Sequence, residues 1–461
     1  MRTLAFRSPT SPQRPRLWRL APVSLALCLL GLSTAQAAVS AEEAAKLGTT
    51  LTPAGAVKAA NAEGTIPAWQ GGMSQEGDRY ADPFASEKPM LTITPANVDQ
   101  YASKLSPGQV AMFRKYPDYQ MHVYPTHRTA AMPDRIYAAA KANATSAHLV
   151  ADGNGVEGYK EAVPFPIPQN GLEVIWNHIT RYRGGALKRT ILQAAVQSNG
   201  AYSPVKLEES FSWPEYLKDG VQPEDANILS FFTQNVISPA RLVGNVLLVH
   251  ETLNQVSTPR QAWVYNAGQR RVRRAPQVAY DAPGTATDGQ RTSDNLDMYN
   301  GAPDRYTWKL IGKQEMYIPY NSFRLADRSL KYDDIIRPGH LNTDLPRYEL
   351  HRVWVVEANL KPGERHIYAK RTFYIDEDTW QAAVVDHYDG RNQLWRVAEA
   401  YEFQYRKAQV PWLTAEALYD LQSGRYLVGG LSNEEGKGYD FDVRFKHDDF
   451  TPAAIRRMGV R

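Results

Sequence analysis

The chain has 461 residues, 43% of them apolar and 11% aromatic, enough to bury a large core. It carries 53 Lys and Arg against 49 Asp and Glu, for a formal net charge of +4, and a single cysteine, Cys28. Near-neutrality argues against a general nucleic-acid binder, and one cysteine excludes both a disulfide framework and a cysteine-built metal site.

The first element is a leader. Arg2, Arg7, Arg14, Arg16 and Arg19 form a basic start with no acidic residue, LAPVSLALCLLGL (Leu20–Leu32) is apolar, and Ala35-Gln36-Ala37 is an A-x-A cleavage site. This predicts a secretory signal peptide over 1–37, too short to span a membrane, and a mature chain starting at Ala38. A lipoprotein signal at Cys28 is disfavoured because Leu27 stands where a small residue is required. Removing the leader takes away five arginines and no acids, so the charge falls to −1 and no cysteine remains. The protein is expected in the periplasm, soluble or peripherally attached to the outer membrane, without nucleic acid as a partner.

Residues 38–150 are predicted as a helical and loop-rich region packed on a sheet. SAEEAAKLG (Ser40–Gly48) and TPAGAVKAANAEG (Thr52–Gly64) each open on a capping hydroxyl, the second followed by proline at the first helical position. PANVDQYASKL (Pro95–Leu105), SPGQVAMFRKYP (Ser106–Pro117) and MPDRIYAAAKANATSAHL (Met132–Leu149) read as further short amphipathic helices. The Pro- and Gly-rich stretch 64–84 between them reads as an extended loop.

Residues 151–461 are predicted as the sheet domain, with period-two patterning clear from about Arg241. GNVLLVHETL (Gly244–Leu253) and QAWVY (Gln261–Tyr265) are β-like, and RHIYAKRTFYIDEDTWQAAVVDHYDGRNQLWRVAEAYEFQY (Arg365–Tyr405) is a meander turning at DEDT and DGRN. Ile367, Ala369, Phe373 and Ile375 share a face, with Arg371 the exception. Trp395, Val397, Tyr401, Phe403 and Tyr405 are predicted to share another. ALYDLQSGRYLVGG turns at Ser423-Gly424. Short strands with tight turns imply a large antiparallel sheet rather than βαβ units.

Enzyme signatures fail, so no catalytic activity, cofactor or metal is expected. Gly153–Gly158 matches G-x-G-x-x-G, but YKEAVPFPIP after it is no phosphate-binding helix. Glu76 breaks a nucleophile elbow at Gly72–Glu76, and Asn254 stands where a zinc-protease motif on His250-Glu251 needs its second histidine. Asp294, Asp297 and Asp304 lack calcium-loop spacing and read as a polar connection serving local backbone N–H groups. Asp376, Glu377 and Asp378 read as solvated turn residues rather than a glycosidase pair.

Aromatic residues crowd the β-rich half. They either form an ordinary core or line a cavity that a strongly curved sheet leaves unfilled. On the second reading Trp263, Tyr265, Trp308, Tyr317, Phe373, Trp395 and Tyr401 are candidates for contacting an apolar ligand.

GAVKAANAEGTIPAWQGG (Gly55–Gly72), YASKLSPGQVAMFRKYPDYQMHVYPTHRTA (Tyr101–Ala130) and TSDNLDMYNGAPDRYTWKLIGKQEMYIPYNSFRL (Thr292–Leu325) resemble signatures of the domain-of-unknown-function 1329 family, exported proteins of Gram-negative bacteria. The resemblance spans nearly the whole mature chain. It implies an α+β, β-dominated, LolA/LolB-like fold: a highly curved antiparallel sheet, an incomplete barrel, covered by helices. It also implies kinship with the periplasmic lipoprotein carrier and outer-membrane receptor of the Lol system, and partners among resistance-nodulation-division (RND)-type exporters and outer-membrane proteins. No site residue carries over.

Two functions follow as expectations. One is a carrier or receptor that buries a lipid, acyl chain or lipoprotein anchor in the half-barrel. The other is a structural or assembly partner of an envelope complex without a ligand. The stretch WVYNAGQRRVRRAPQVAYD (Trp263–Asp281) reads as a hairpin with Arg271 and Arg273 on one face and Arg270, Val272 and Arg274 on the other, hence an edge strand. Its arginines are expected either in ion pairs with Asp281, Asp288, Asp294 and Asp297 or, at Arg271 and Arg273, as a dock for anionic headgroups or an acidic partner.

Overall fold

The computed structural model describes residues 39–275, 278 and 280–460; the predicted signal peptide lies outside them. The first part holds α1 (Ala41–Ala44), β1 (Leu91–Ile93), α2 (Pro107–Lys115), β2 (Met121–Val123), α3 (Asp134–Ser146), β3 (His148–Val150), β4 (Gly155–Glu157) and α4 (Gly171–Thr180). Seven long or medium strands follow: β5 (Ala186–Val196), β6 (Tyr202–Ser212), β7 (Ile228–Ser238), β8 (Val246–Thr252), β9 (Gln261–Asn266), β10 (Arg271–Arg274) and β11 (Tyr306–Pro319). After α5 (Tyr332–Ile335) come β12 (Tyr348–Leu360), β13 (Lys370–Asp376), β14 (Ala382–Tyr388) and β15 (Leu394–Tyr405). The chain ends with β16 (Val410–Asp420), β17 (Tyr426–Leu431), β18 (Tyr439–Asp440) and α6 (Pro452–Gly459).

Sixteen strands make one sheet. Its antiparallel succession runs β11-β12-β13-β14-β15-β16-β17-β5-β6-β7-β8-β9-β10, with β18 beside β5. β2, carrying β1, meets β12 in one parallel bridge, Val123 to Tyr348; β3 and β4 pair apart from the sheet. Among the described residues nothing pairs β10 to β11, so the barrel is incomplete. The sheet nevertheless curls: Trp412 of β16 and Val264 of β9 border one cavity of about 230 Å³, although six strand steps separate them. Laid flat, those steps would span roughly 29 Å at about 4.8 Å each.

Each face has its own core. On the inner face α3 and α4 pack through Ile136, Val174, Ile175, Trp176 and Ile179 against Leu207, Val356, Phe373, Val385 and Phe403. On the outer face α2, β1 and β2 cover Leu192, Met316, Val353, Val384, Val397 and Val428. A sheet covered on both faces has near-continuously apolar strands, which is why the meander is so rich in Val, Tyr and Phe.

α2 is fastened by a polar contact. Ser106 and Gln109 form a capping box, and Pro107 opens the helix. Ser106 Oγ and Gly108 N both donate to Asp386 Oδ1, at 2.9 and 3.1 Å. A Cβ on residue 108 would fall 2.1 Å from that oxygen, so glycine is required there.

Pro95–Leu105 holds two short 3₁₀ turns, Val98–Gln100 and Ala102–Lys104, in place of the expected helix, and the structure departs from expectation at four further places. Thr52–Gly64 is not helical: Thr52 Oγ1 accepts from Ala56 N and closes a turn, and Gly55 at φ +100° leaves helical space. Long strands begin at Ala186, ahead of the clear alternation from about Arg241, because β5–β7 place charged or polar residues at inward positions and so lose the plain apolar pattern. β15 changes face at a bulge between Tyr401 and Glu402, so Val397 and Tyr401 join the outer core and Phe403 and Tyr405 the inner one. Asp376, Glu377 and Asp378 are buried beneath the segment that follows α1, where Trp380 Nε1 donates to Ala54 O and Arg352 to Ala59 O.

Burial pushes the Asp386 carboxyl up to about 7, against the hydrogen bonds from Ser106 and Gly108 that pull it down. The folded state therefore holds a proton that the unfolded chain releases near pH 4, and this stabilisation is complete below pH 4 and lost as pH rises to 7. Asp386→Asn is expected to flatten the fall in thermal stability between pH 4.5 and 8, removing up to about 4 kcal/mol of pH dependence in melts read across that range.

Candidate functional site

The cavity grows out of strand alternation. Cavity-facing residues line up in rows across the sheet: Leu187, Phe211, Phe232 and Val249 are successive cross-strand partners on β5 to β8. The next row runs Arg189, Glu209, Gln234, Leu247 and Val264 from β5 to β9. Trp412 closes one side, and the segment 283–300 lies across the opening with Pro283, Leu296 and Asp297 against the space. At about 230 Å³ the cavity exceeds the roughly 150 Å³ hollow that holds a benzene ring and falls short of the roughly 300 Å³ where drug-sized pockets begin.

Its wall is apolar in one row and charged in the next, and every charge is answered from within. Arg189 Nε donates to Glu209 Oε2 at 2.6 Å, and Gln234 donates to the other Glu209 oxygen at 2.7 Å. Arg260 pairs with Glu251 at 2.6 Å, and Asn300 donates to Glu251 at 3.0 Å. Arg291 pairs with Glu416 and donates to Gln193 Oε1 at 3.0 Å. The guanidinium of Arg189 also stacks over Trp412, 5.0 Å from the ring centre.

Asp297 ties the covering segment to this wall. It accepts from Arg181 at 2.7 Å, Arg183 at 2.9 Å and Trp412 Nε1 at 3.0 Å, while its carbonyl accepts from His178 Nε2 at 3.0 Å. Burial alone would raise the Asp297 carboxyl, but Arg181 and then Arg183 hold it well below the usual range. Burial, then Arg181, lowers His178 to about 3, so the imidazole is neutral; its Nδ1 accepts from Ala382 N at 3.0 Å. Three residues earlier, Asp294 pairs with Arg371 at 2.9 Å and His366 at 3.0 Å. Asp294 and Asp297 thus reach across the interior instead of serving local backbone, and Arg371 is the inward charge that breaks the apolar face of β13.

The seven aromatic candidates lie elsewhere. Trp263 and Tyr265 point to the α6 side of β9, and Val264 between them faces the cavity. Trp308 and Phe373 meet at 5.6 Å in the inner core around Tyr299. Tyr317 and Tyr401 are in the outer core, where Tyr401 donates to Glu399 at 2.9 Å. Trp395, half-buried, donates to Asp420 at 2.9 Å. The residues that do line the cavity include Arg189, Glu209, Phe211, Leu247, Arg260 and Trp412. Their signal in the sequence is a charge at an alternate position of an otherwise apolar strand, as in ALKRTILQAAV.

β10 is the outermost strand of its end of the sheet, paired with β9 from Arg271–Asn266 to Arg274–Trp263. Arg270, Arg271, Arg273 and Arg274 are exposed, and among the described residues no carboxylate pairs with them. Asp288 instead pairs with Arg425, and Asp281 accepts from Ile367 N.

Residues 92–456 match the family model described as protein of unknown function (DUF1329), and the chain belongs to that family. It is 62% identical over 444 residues to the uncharacterized protein PA3922 of Pseudomonas aeruginosa, with 95% of this chain and 97% of that one covered. Among solved structures, a domain assigned to outer membrane lipoprotein sorting in Vibrio parahaemolyticus is 14% identical, with a TM-score of 0.43 over 62% of this chain and 98% of that one. A DUF1329 family protein of Desulfovibrio piger is 13% identical, with a TM-score of 0.40 over 59% of this chain and 91% of that one.

Asp297→Asn leaves Arg181 and Arg183 buried around a neutral amide. The expected cost is about 3–5 kcal/mol, read as a lower denaturant midpoint.

Proposed function

We propose that this member of the family is a periplasmic carrier or receptor that holds a hydrophobic ligand in the half-barrel cavity, in the handling of outer-membrane lipid or lipoprotein. The observation that supports it is the cavity itself: an apolar row of Leu187, Phe211, Phe232 and Val249 beside charges that are already paired. Such a wall has no unanswered charge to offer an ion, and it suits an apolar group with a modest polar end. Its volume fits the end of one acyl chain or a single ring. At about 0.8 kcal/mol per buried CH₂, a chain end is held firmly enough to transport and weakly enough to release. The basic leader and A-x-A site support the compartment.

The exposed arginines of β10 lie beside α6, which exposes Arg456 and Arg457. This cluster suits anionic headgroups at the membrane, or an acidic face of an RND-type exporter or outer-membrane partner. A scaffold role without a ligand would rest on the same arginines with the cavity unused, and ligand uptake separates the two.

Delipidated protein is expected to take up a fluorescent fatty acid in a one-to-one ratio, and Leu247→Trp, which fills the cavity, is expected to weaken uptake at least about tenfold, or 1.4 kcal/mol. Absence of uptake by the parent protein, with no lipid found by mass spectrometry of native preparations, would refute the carrier reading. Reversal of Arg271 and Arg273 to Glu is expected to lower sedimentation with anionic vesicles while leaving uptake and melting temperature unchanged.

A further inference from the structure

Away from the cavity, at the turn joining β13 to β14, a second polar cluster is sealed in the protein. It comprises His351 and Glu349 of β12, Asp376 at the end of β13, Glu377 and Asp378 in the turn, and Glu402 of β15, none more than 5% exposed. Most of its carboxylates have cations. Glu377 accepts from Lys313 at 2.7 Å and Arg352 at 3.3 Å, Asp378 is gripped by the Arg128 fork at 2.6 and 2.8 Å, and Glu349 accepts from Arg347 at 2.5 Å. Asp376 and Glu402 have neither arginine nor lysine within 4 Å among the described residues. They flank the single hydroxyl proton of Thr379, at 2.9 and 3.1 Å.

The imidazole sharpens the mismatch. His351 Nε2 lies 3.1 Å from Glu349 Oε2 and donates to it, so that in the neutral imidazole Nδ1 is the nitrogen with the lone pair. That nitrogen faces Asp376 Oδ1 at 3.8 Å, and the oxygen has no hydrogen-bond partner. The separation is too long for a hydrogen bond and suits two donors about 2.0–2.2 Å from one first-row metal ion. One donor atom each from His351, Asp376 and Asp378 lies within 4.8 Å of the other two.

A separate buried residue packs against the imidazole. Tyr320 is 2% exposed, its ring stacks on His351 at 3.9 Å and 28°, and its hydroxyl is unpartnered.

We propose that His351 Nδ1, Asp376 Oδ1 and an oxygen of Asp378 bind one zinc-type divalent cation. Glu349 orients the imidazole and Arg128 orients Asp378, the carboxylate–histidine–metal arrangement that sets ligand geometry in such sites. A mixed nitrogen and oxygen donor set with one imidazole selects a first-row ion over calcium or magnesium. The closed surroundings make the site structural. The ion would tie β12 and β13 to the N-terminal segment, since Arg128 also donates to Lys58 O and Pro67 O.

The test uses untagged protein purified without chelators. Elemental analysis is expected to find one zinc per chain; stripping with a chelator lowers the melting temperature, and added Zn²⁺ restores it by about 3 °C or more. Zinc-edge X-ray absorption of the native protein is expected to show a single imidazole among oxygen donors and no sulfur. Asp376→Asn is expected to cut bound zinc to under about a tenth per chain and abolish the Zn²⁺-dependent shift, with fatty-acid uptake unchanged. Several results would overturn the proposal: a native protein without zinc and without a Zn²⁺ response, as when protons alone close the cluster; zinc retained by the Asp376→Asn protein; no imidazole at the zinc edge; or a response to Ca²⁺ only. If the variant does not fold, the absorption spectrum of the native protein decides.

Discussion

A sheet that curls without closing creates an interior, and no charge placed there can be left unanswered. Removing one partner of a buried pair costs several kcal/mol, because the remaining ion has lost water and gained nothing. The interior here carries Arg181, Arg183, Arg189, Arg260, Arg291 and Arg371, so the chain must bring a carboxylate to each. Asp294 and Asp297 do this for three of them from one connecting segment. That segment is therefore drawn across the inner face, and the position of the cavity beneath it follows.

The remaining architecture is arranged around that requirement. α4 fills the inner face under β11 and β12 with Val174, Ile175 and Trp176, but it does not extend to β6–β9, where the 230 Å³ space remains. There, apolar and charged rows alternate along the strands because adjacent inward positions two residues apart were given different chemistry. α2, β1 and β2 cover the outer face, which turns an exposed sheet surface into a second core and leaves β10 as the charged, unpaired edge. Charge on an open edge discourages pairing with another sheet, so the arginines of β10 protect the fold whatever else they contact.

Much of the fold was legible because strand period and turn chemistry are local. The meander from Lys370 to Tyr405, the Ser423-Gly424 turn and the 263–274 hairpin appear where alternation and turn residues place them, whereas Arg365–Ala369, read as the start of the first strand, precede it and leave Ile367 exposed. β5–β7 were not legible, because Arg189, Glu209 and Gln234 interrupt the apolar alternation at the positions that face inward. The aromatic residues marked a core truthfully but not the cavity: on β9 a one-residue step separates Trp263 and Tyr265, under α6, from Val264 at the cavity. The bulge at Tyr401 and Glu402 inverted the faces of β15 in the same way, and such a bulge has no signature in residue type.

The sequence by itself determined that this is a β-dominated chain with short turns, helices mainly at its start, and one arginine-rich strand suited to an edge. It also limited the chemistry, since with one cysteine no cysteine-built site is available. The tertiary structure decided which face of each strand is inner, and which charges meet. Asp297 and Arg181 are 116 residues apart, Arg128 and Asp378 are 250, and no local pattern encodes either pairing. The same holds for the turn at Asp376–Asp378, polar and outwardly ordinary in sequence. Only the distant segment after α1 folding over it turns three solvated carboxylates into a buried cluster.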